Sequence, residues 1–310
     1  MENARILIYG TGTVGIFFGS RLEKAGFKVT FADRPERASF LNETGLSVRG
    51  LDGDYHFKPE VVGDLEGMDS QDLILICVKA IHTYDIALNL LPVIKPATAV
   101  LSFQNGLENE KILSDLLGPN LLMGTVLQFH GRLEEGCRSV QDAPAQVLFG
   151  ELDHQPSSRE EWLSKIFSRA DINHVITHQI NQKIWEHFLW NSIYNSIGAL
   201  TKSTLQEILE FESMRPTIEQ MMSETIRVAS AEGVVIPLGA LEELNREQAG
   251  YTHIKPAMLQ DIEAGRHPEL EPMLGVILNK AKAKGISTPA NAAVYHLLQL
   301  SCTHIEIEEP

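Results

Sequence analysis

A short glycine-rich turn near the start of the chain constrains the fold more than any other feature. Residues 5–9, "RILIY", form a β-rich run, and "GTGTVG" at 10–15 follows at once. An apolar helical pattern then extends to Gly26, and a second β-rich run, "KVTFAD", ends at Asp33. A strand, a glycine turn, a helix and a strand within about 30 residues predict a Rossmann-type dinucleotide-binding unit.

Each glycine of this turn has its own physical role. Gly10 makes the tight turn, Gly12 lets the backbone approach a pyrophosphate, and Gly15 lets the helix pack on the strand. The N-terminus of the helix faces the phosphates with its N–H groups and its positive dipole end. A glycine turn in some other α/β domain is the alternative, which the order of the elements disfavours. The predicted cofactor contacts are Gly10, Thr11, Gly12, Thr13, Val14 and Gly15.

The end of the second strand bears on which dinucleotide binds. An acid here, as at Asp33, usually accepts the ribose hydroxyls of NAD, whereas a nearby arginine, such as Arg34, usually meets the 2′-phosphate of NADP. Arg37 lies one helical turn further on. The residues alone leave NAD and NADP open, and Arg34 and Arg37 are also consistent with a solvated helix start.

Two further buried strands end at polar residues. "DLILICVKA" leads to Lys79, and "TAVLSFQNG" leads to Asn105. Residues beyond the C-terminal ends of parallel strands line the ligand crevice of such sheets, so both are candidate cofactor or substrate contacts. For Lys79 the alternative is a solvated loop lysine. Runs at 120–131, 145–151 and 173–178 predict more strands, some antiparallel, and Ser157 with Glu160 predicts a capping box.

The second half of the chain is predicted to be helical. β signals stop after about residue 179, and helices are expected near 180–200, 204–212, 215–232, 238–248, 254–265, 270–284 and 290–301. The fold class is therefore α/β: a Rossmann-type domain at 1–178 followed by an all-helical domain at 179–310. A substrate site is expected in the cleft between them. The "IEIEEP" tail reads as a frayed end.

One predicted helix carries a row of polar residues on an otherwise apolar surface. In "WEHFLWNSIYNS", from residue 185, His187, Asn191 and Asn195 recur every fourth residue, and Lys183 extends the row by one turn. Residues four apart share a helix face. An unsatisfied buried amide costs about 1–3 kcal/mol, so we expect this row to face a ligand. Bonding to neighbouring helix ends is the structural alternative.

Composition excludes several functional classes. The net charge of −15 disfavours general nucleic-acid or membrane-surface binding. No apolar run approaches the roughly 20 residues of a membrane span, and no signal peptide is evident. Cys77, Cys137 and Cys302 form no disulfide framework, which favours a cytoplasmic location. No Cys/His cluster or H-E-x-x-H motif occurs, so no catalytic metal is predicted.

With these motifs the sequence resembles the ketopantoate reductases (2-dehydropantoate 2-reductases) over nearly its whole length. The resemblance rests on "GTGTVG", "VKAIHT" around Lys79, "FQNGLENE" around Asn105, the Trp185 helix, "KPAMLQDIEAGRHPELE" around Glu269, and "GISTPAN". Members of this family reduce 2-dehydropantoate to (R)-pantoate with NADPH, in pantothenate biosynthesis.

The resemblance implies roles for individual residues. Lys79 matches a cofactor-contacting lysine, Asn105 an asparagine that touches nicotinamide and substrate, and Arg34 the 2′-phosphate arginine. NADP(H) is therefore preferred, with NAD(H) kept as an alternative by Asp33. Asn191, Asn195 and Glu269 match further site residues. Asn191 and Asn195 match the two asparagines that hold the substrate, and Glu269 matches an acid at the mouth of the active site. The predicted catalytic residues are therefore His187, Glu269 and Asn105.

Two positions depart from the family pattern. His187 stands where the family has the lysine that donates the proton, and Ala257 replaces a substrate-binding serine. A histidinium can donate a proton to an alkoxide, with Lys183 sharing the cationic role and Asn amides holding the carboxylate. The alternatives are a reductase of another 2-oxo or 2-hydroxy acid, and a dinucleotide-binding sensor with impaired catalysis. By family analogy a homodimer is possible.

Overall fold

The protein consists of two compact units. We analysed a computed structural model, which describes residues 4–135 and 137–303, so the predicted frayed tail lies outside the described residues. The first unit comprises the described residues up to Gln104 together with Asn109–Ile180. The second comprises Asn105–Glu108 and the described residues from Asn181 onward. The chain thus enters the second unit briefly at 105–108, an excursion that the predicted division at residue 178 does not contain.

The described part of the first unit contains twelve strands. In chain order they are β1 (Arg5–Tyr9), β2 (Lys28–Ala32), β3 (Leu46–Gly50), β4 (Gly53–Phe57), β5 (Glu60–Val62), β6 (Leu73–Ile76), β7 (Ala99–Ser102), β8 (Leu122–Gln128), β9 (Gly131–Glu134), β10 (Arg138–Gln141), β11 (Gln146–Gly150) and β12 (His174–Ile176).

Five α-helices of the first unit accompany these strands, and seven more follow. The first five are α1 (Thr13–Lys24), α2 (Pro35–Thr44), α3 (Thr83–Leu90), α4 (Asn109–Leu117) and α5 (Ser158–Arg169). The others are α6 (Ile180–Thr201), α7 (Leu205–Glu210), α8 (Arg215–Ala231), α9 (Ala240–Glu247), α10 (Ala257–Glu263), α11 (Val276–Lys284) and α12 (Pro289–Cys302). A π-helical turn at Glu271–Gly275 leads directly into α11.

The main sheet has eight strands in the order β12-β11-β8-β7-β6-β1-β2-β5. Strands β5, β2, β1, β6, β7 and β8 run parallel, which is the arrangement of a doubly wound dinucleotide-binding fold. β11 pairs antiparallel with β8, and β12 follows β11 in parallel, so the expectation of some antiparallel strands is confirmed. The strand order reverses between β1 and β6, the switch point where such sheets bind ligands.

The central strands are apolar because helices cover both faces of the sheet. All four residues of β6, "LILI", and all four of β7, "AVLS", are buried. Strands buried on both faces read as continuous apolar runs rather than as alternating patterns. The predicted capping box is also present, since Ser157 accepts from the Glu160 N–H and the Glu160 carboxylate accepts from the Ser157 N–H.

A second, four-stranded sheet was not predicted. Its order is β4-β3-β10-β9, which joins residues 46–57 to residues 131–141. Strand β4 is largely exposed and rich in polar residues, so its sequence lacks a buried-strand pattern. Ser139 on β10 donates to the carbonyl of Thr13 at 2.8 Å, which ties this sheet to the first residue of α1.

The second unit packs its helices around α6. Buried residues of α6, among them Leu189 and Ile193, join a core with residues of α7 to α12. The predicted helices are confirmed, with ends that shift by a few residues and a π-turn before α11. Buried Glu224 of α8 accepts hydrogen bonds from the N–H groups of Ala290 and Asn291, both at 3.0 Å, and so caps the start of α12. No described helix has the length and apolar character to cross a membrane.

Candidate active site

The glycine turn after β1 is shaped by close backbone contacts. Gly10 has φ +108°, a conformation that favours glycine. A Cβ atom on Gly15 would lie 2.0 Å from the carbonyl oxygen of Gly10. Both glycines are therefore required by the fold itself, which needs the tight turn and the close packing of α1 against β1.

Gly12 is different, because the protein leaves space beside it. Among described residues that are not its chain neighbours, the atom nearest to a Cβ added there would be the Cys77 carbonyl oxygen at 4.0 Å, and the φ of −80° is ordinary. Gly12 is also the N-cap of α1, whose first turn contains no acidic residue. The first N–H groups of a helix have no intrahelical acceptor, and they attract phosphate. The turn therefore fits the pyrophosphate of a dinucleotide.

Asp33 is bound to the glycine turn by hydrogen bonds. Its Oδ2 accepts from the N–H of Thr11 at 2.9 Å and also from the Thr11 hydroxyl. Arg37 donates to Thr11 Oγ1 at 2.8 Å and lies 3.5 Å from the Asp33 carboxylate. Oδ1 of Asp33 accepts from the N–H of Arg34 at 2.8 Å. Both carboxylate oxygens thus have partners within the protein.

Arg34 and Lys79 lie at the predicted edge of the sheet. Arg34 is exposed and is the N-cap residue of α2, directly after β2 and Asp33. Lys79 is half-buried and follows β6, the parallel neighbour of β1 across the switch point. Next to it, a Cβ on Gly10 would meet the Val78 side chain at 2.7 Å, so the chain after β6 packs against the glycine turn.

Thr83 holds the residues that flank the Asn105 segment. Its hydroxyl accepts from Gln104 Nε2 at 3.0 Å, and its one proton faces both the Ala80 carbonyl oxygen at 2.8 Å and Asn109 Oδ1 at 3.0 Å; Thr83 is fully buried. Gln104 and Asn109 directly precede and follow residues 105–108. One hydroxyl therefore lies within hydrogen-bonding distance of the residues on both sides of this segment.

Glu110, in the first turn of α4, is unusual among the acids. An ionised acid is normally favoured at a helix N-terminus. Here burial raises the pKa of the Glu110 carboxyl to about 7, because the cost of desolvating the charged form exceeds the stabilisation by its own backbone hydrogen bond.

The predicted polar row on α6 forms a continuous hydrogen-bonded set within the second unit. Asn191 Nδ2 lies 2.7 Å from His187 Nε2, and Asn195 Nδ2 donates to Asn191 Oδ1 at 3.1 Å. Asn191 Nδ2 also donates to Asn105 Oδ1 at 3.4 Å, and the Met258 N–H donates to Asn195 Oδ1 at 3.4 Å. We call His187, Asn191, Asn195 and Asn105 the amide ladder. It brings together four of the predicted site residues, and its contact with Met258 in the first turn of α10 is the bonding to a neighbouring helix end that the structural alternative predicted.

Lys183 is engaged elsewhere on α6. Its Nζ lies 2.7 Å from a carboxylate oxygen of Glu186, whose other oxygen accepts from Gln182 Nε2 at 2.6 Å. The Glu186 side chain is 8% exposed, so its charge is buried and needs a partner. Lys183 therefore neutralises Glu186.

Glu269 and Ala257 lie near the two ends of one segment. Ala257 is the first residue of α10, and its neighbour Met258 supplies the N–H that meets Asn195. Glu269 is half-buried and follows α10, shortly before the π-turn. π-helical turns are frequent at functional sites. Among the described residues, no group of His, Cys, Asp and Glu could hold a metal ion.

Two models of one protein family match this chain. The model described as Ketopantoate reductase PanE/ApbA matches residues 6–154, and the model of its C-terminal part matches residues 179–301. The chain belongs to the ketopantoate reductase family. A 2-dehydropantoate 2-reductase of Nostoc sp. PCC 7120 is 26% identical over 307 residues, which cover 96% of this chain and 95% of the relative.

Solved structures show the same fold. A PanE/ApbA family ketopantoate reductase from Ralstonia eutropha JMP134 superimposes with a TM-score of 0.87 at 26% identity, covering 97% of this chain and all of that one. A ternary structure of D-mandelate dehydrogenase with NADH and anilino(oxo)acetate gives a TM-score of 0.91 at 21% identity, covering 98% and 100%. This ketopantoate reductase family member is an NAD(P)H-dependent oxidoreductase with a Rossmann-type fold, and its cofactor is a nicotinamide dinucleotide.

Sequence reasoning missed three residues that organise these groups: Thr83, Glu186 and Met258. Thr83 and Met258 lie within quoted family motifs, but their contacts join distant parts of the chain. Glu186 had a local signal, because an acid at i+3 from Lys183 is a predictable ion-pair partner on a helix.

Proposed function

We propose that this protein reduces 2-dehydropantoate to (R)-pantoate with NADPH, a step of pantothenate biosynthesis. The observation that carries the proposal is the amide ladder, in which one imidazole and three amides bond continuously. Asn191 and Asn195 are only 8% and 6% exposed. Amides and imidazole in one buried cluster suit a small acid with a keto group, which needs both hydrogen-bond donors and a proton.

The glycine turn supports the cofactor part of the proposal. The N–H groups at the start of α1 would hold the pyrophosphate, with Gly12 leaving room for it and Lys79 adding a positive charge. When bound, the reduced nicotinamide supplies a hydride from C4. The remaining requirement is a proton for the oxygen of the reduced ketone, and we assign its donation to His187.

The remaining ladder residues would hold the substrate. Asn105 accepts through Oδ1 from Asn191, so a ligand that reaches its amide nitrogen meets a donor. Asn191 and Asn195 would bind the carboxylate and hydroxyl groups, and Glu269 would act at the mouth of the site. Lys183, neutralised by Glu186, contributes less positive charge than a lone lysine would.

Substrate identity is tested by kinetics. We expect kcat/KM with NADPH to be highest for 2-dehydropantoate in a panel that also contains branched 2-oxo acids and phenylglyoxylate. The last compound is included because one structural neighbour is a mandelate dehydrogenase. A higher value for another panel member would assign that acid as the substrate, an outcome that His187 and Ala257, the two departures from the family pattern, make worth testing.

The arrangement around Asp33 supports a preference for NADP(H). The carboxylate already accepts from Thr11 and Arg34 and lies beside Arg37, so its charge is partly balanced. A carboxylate in this state repels a 2′-phosphate less than one without partners, and Arg34 is exposed for phosphate binding.

Replacing Arg34 by alanine is expected to raise the KM for NADPH by about 10- to 100-fold, because a charge-assisted bond to phosphate contributes about 1.5–3 kcal/mol. The KM for NADH should change little. Both are measured by initial rates, with Arg49→Ala, which removes an exposed arginine in the smaller sheet, as the control. An equal effect on both cofactors, or none, would contradict the assigned phosphate contact.

A further inference from the structure

We infer that Asn195 and the backbone N–H of Met258 set the tautomer of His187, so that the neutral imidazole carries its proton on Nδ1 and accepts hydrogen bonds at Nε2. This inference rests on the proposed function only in making His187 the proton-handling group. Asn195 is then a positioning residue, since it acts on His187 through Asn191.

The direction of the ladder is fixed at its Met258 end. The oxygen and nitrogen of an amide are similar in shape, so a group that can only donate must decide which atom faces which. The Met258 N–H is such a group. It belongs to the first turn of α10, where N–H groups have no intrahelical acceptor. At 3.4 Å it therefore faces the oxygen of Asn195.

The orientation of Asn195 determines that of Asn191. With its oxygen facing Met258, Asn195 presents its NH₂ group to Asn191, and the 3.1 Å contact must end on the Asn191 oxygen. Both amides are buried, at 6% and 8% exposure, so water cannot readily substitute for a reversed partner. Reversing Asn191 alone would set two NH₂ groups against each other.

The NH₂ group of Asn191 consequently faces two acceptors. One hydrogen serves Asn105 Oδ1 at 3.4 Å and the other serves His187 Nε2 at 2.7 Å. A ring nitrogen that accepts carries no proton, and the hydrogen bond at one ring nitrogen selects the tautomer. The neutral imidazole must then be protonated on Nδ1.

This tautomer has a chemical consequence. Nε2 of His187 is an acceptor whose single lone pair is occupied by Asn191, so it can take the hydroxyl proton of a 2-hydroxy acid only after Asn191 has turned or moved aside. In the reductive direction, Nε2 has to gain a proton from solvent before it can pass one to the substrate oxygen, and Asn191 must turn or move aside. The ladder therefore couples the proton on His187 to the orientation of two amides.

The tautomer can be read without cofactor or substrate. We propose long-range ¹H–¹⁵N correlation NMR of the full chain labelled with ¹⁵N-histidine at about pH 8.5, where an unperturbed imidazole is neutral. The His187 signals are assigned by their loss in His187→Gln. We expect a protonated Nδ1 and an unprotonated Nε2. A native protein with its proton on Nε2 would overturn the inference, whatever the substrate proves to be.

Asn195→Asp provides the second test, because a carboxylate can accept from Met258 but cannot donate to Asn191. Asn191 should then reverse, and Nε2 of His187 should gain a proton. Asn245→Asp is the matched control: it places the same charge next to α6, on a residue that bonds Trp190 and Tyr194 instead of the ladder. An unchanged Nε2 in a folded Asn195→Asp protein, or the same change in the control, would contradict the role of Asn195. If Asn195→Asp does not fold, the native tautomer alone decides.

Because this readout needs no turnover, it separates two failures. If the protein shows the expected tautomer but does not reduce 2-dehydropantoate, the inference about the ladder stands and the proposed substrate is wrong. If the protein reduces 2-dehydropantoate but has the opposite tautomer, the proposed function stands and the inference about the tautomer is wrong.

Discussion

Replacing His187 by alanine is expected to lower kcat by about 10²–10⁴, the usual contribution of a general acid. The proposed phosphate contacts belong to the glycine turn of the first unit and do not include His187, so the Kd for the dinucleotide should stay within a few-fold of the native value. Stopped-flow or steady-state rates measure the first quantity, and fluorescence titration measures the second. His56→Ala is the control, since His56 bonds Ser47 in the four-stranded sheet.

His187→Lys distinguishes an enzyme from a sensor. If the native protein turns over robustly and His187→Ala does not, histidine is the working acid. If the native protein binds dinucleotide without turnover, and the family lysine at this position introduces a rate, the impaired-sensor alternative replaces the proposed reductase. A native rate that survives His187→Ala would remove His187 from the mechanism altogether.

The second large effect is expected from two alanine substitutions in one turn. Gly15→Ala places a methyl group against the Gly10 carbonyl, where a Cβ atom would be only 2.0 Å away. Overpacking of this kind costs about 1–3 kcal/mol or more, so Tm should fall by about 2–12 °C. Thermal unfolding followed by circular dichroism measures the loss.

Gly12→Ala should instead weaken dinucleotide binding and leave Tm nearly unchanged. Apart from its neighbours in the chain, the described residues bring no atom closer to the added Cβ than the Cys77 carbonyl oxygen at 4.0 Å, so Tm should hardly change. The methyl group would occupy the space assigned to the pyrophosphate, and we expect the Kd for the dinucleotide to rise about 100-fold. The two variants thus serve as controls for each other. Native-like binding by a folded Gly12→Ala protein would show that the phosphates do not approach this residue.

Local patterns in the sequence were sufficient for much of the fold. The glycine turn, the apolar strands β6 and β7, the capping box of α5 and the helical second half all depend on neighbouring residues, and all are confirmed. The polar row could also be predicted, since a period of four on one helix is a local property. What the sequence could not supply was the set of partners that satisfies this row.

Long-range contacts explain what was missed. The four-stranded sheet pairs residues about 90 positions apart, such as Ser47 with Arg138, and neither the short exposed β4 nor β9 has a buried pattern. Thr11 meets Asp33 across 22 residues, so the sequence suggested a carboxylate open to ribose, whereas the structure gives it partners in the turn. Likewise, the Met258 N–H reaches Asn195 across 63 residues.

The brief return of the chain at Asn105–Glu108 limits how this protein can be divided. A fragment that starts at Asn181 would contain α7 to α12 and all of α6 except its first residue. It would still lack Asn105, the acceptor for Asn191. Gene truncation or exchange of halves between relatives would therefore have to carry this tetrapeptide along. Chimaeras joined at the obvious junction bring an Asn105 from one parent to an Asn191 from the other, so their compatibility depends on four residues encoded far upstream of the splice.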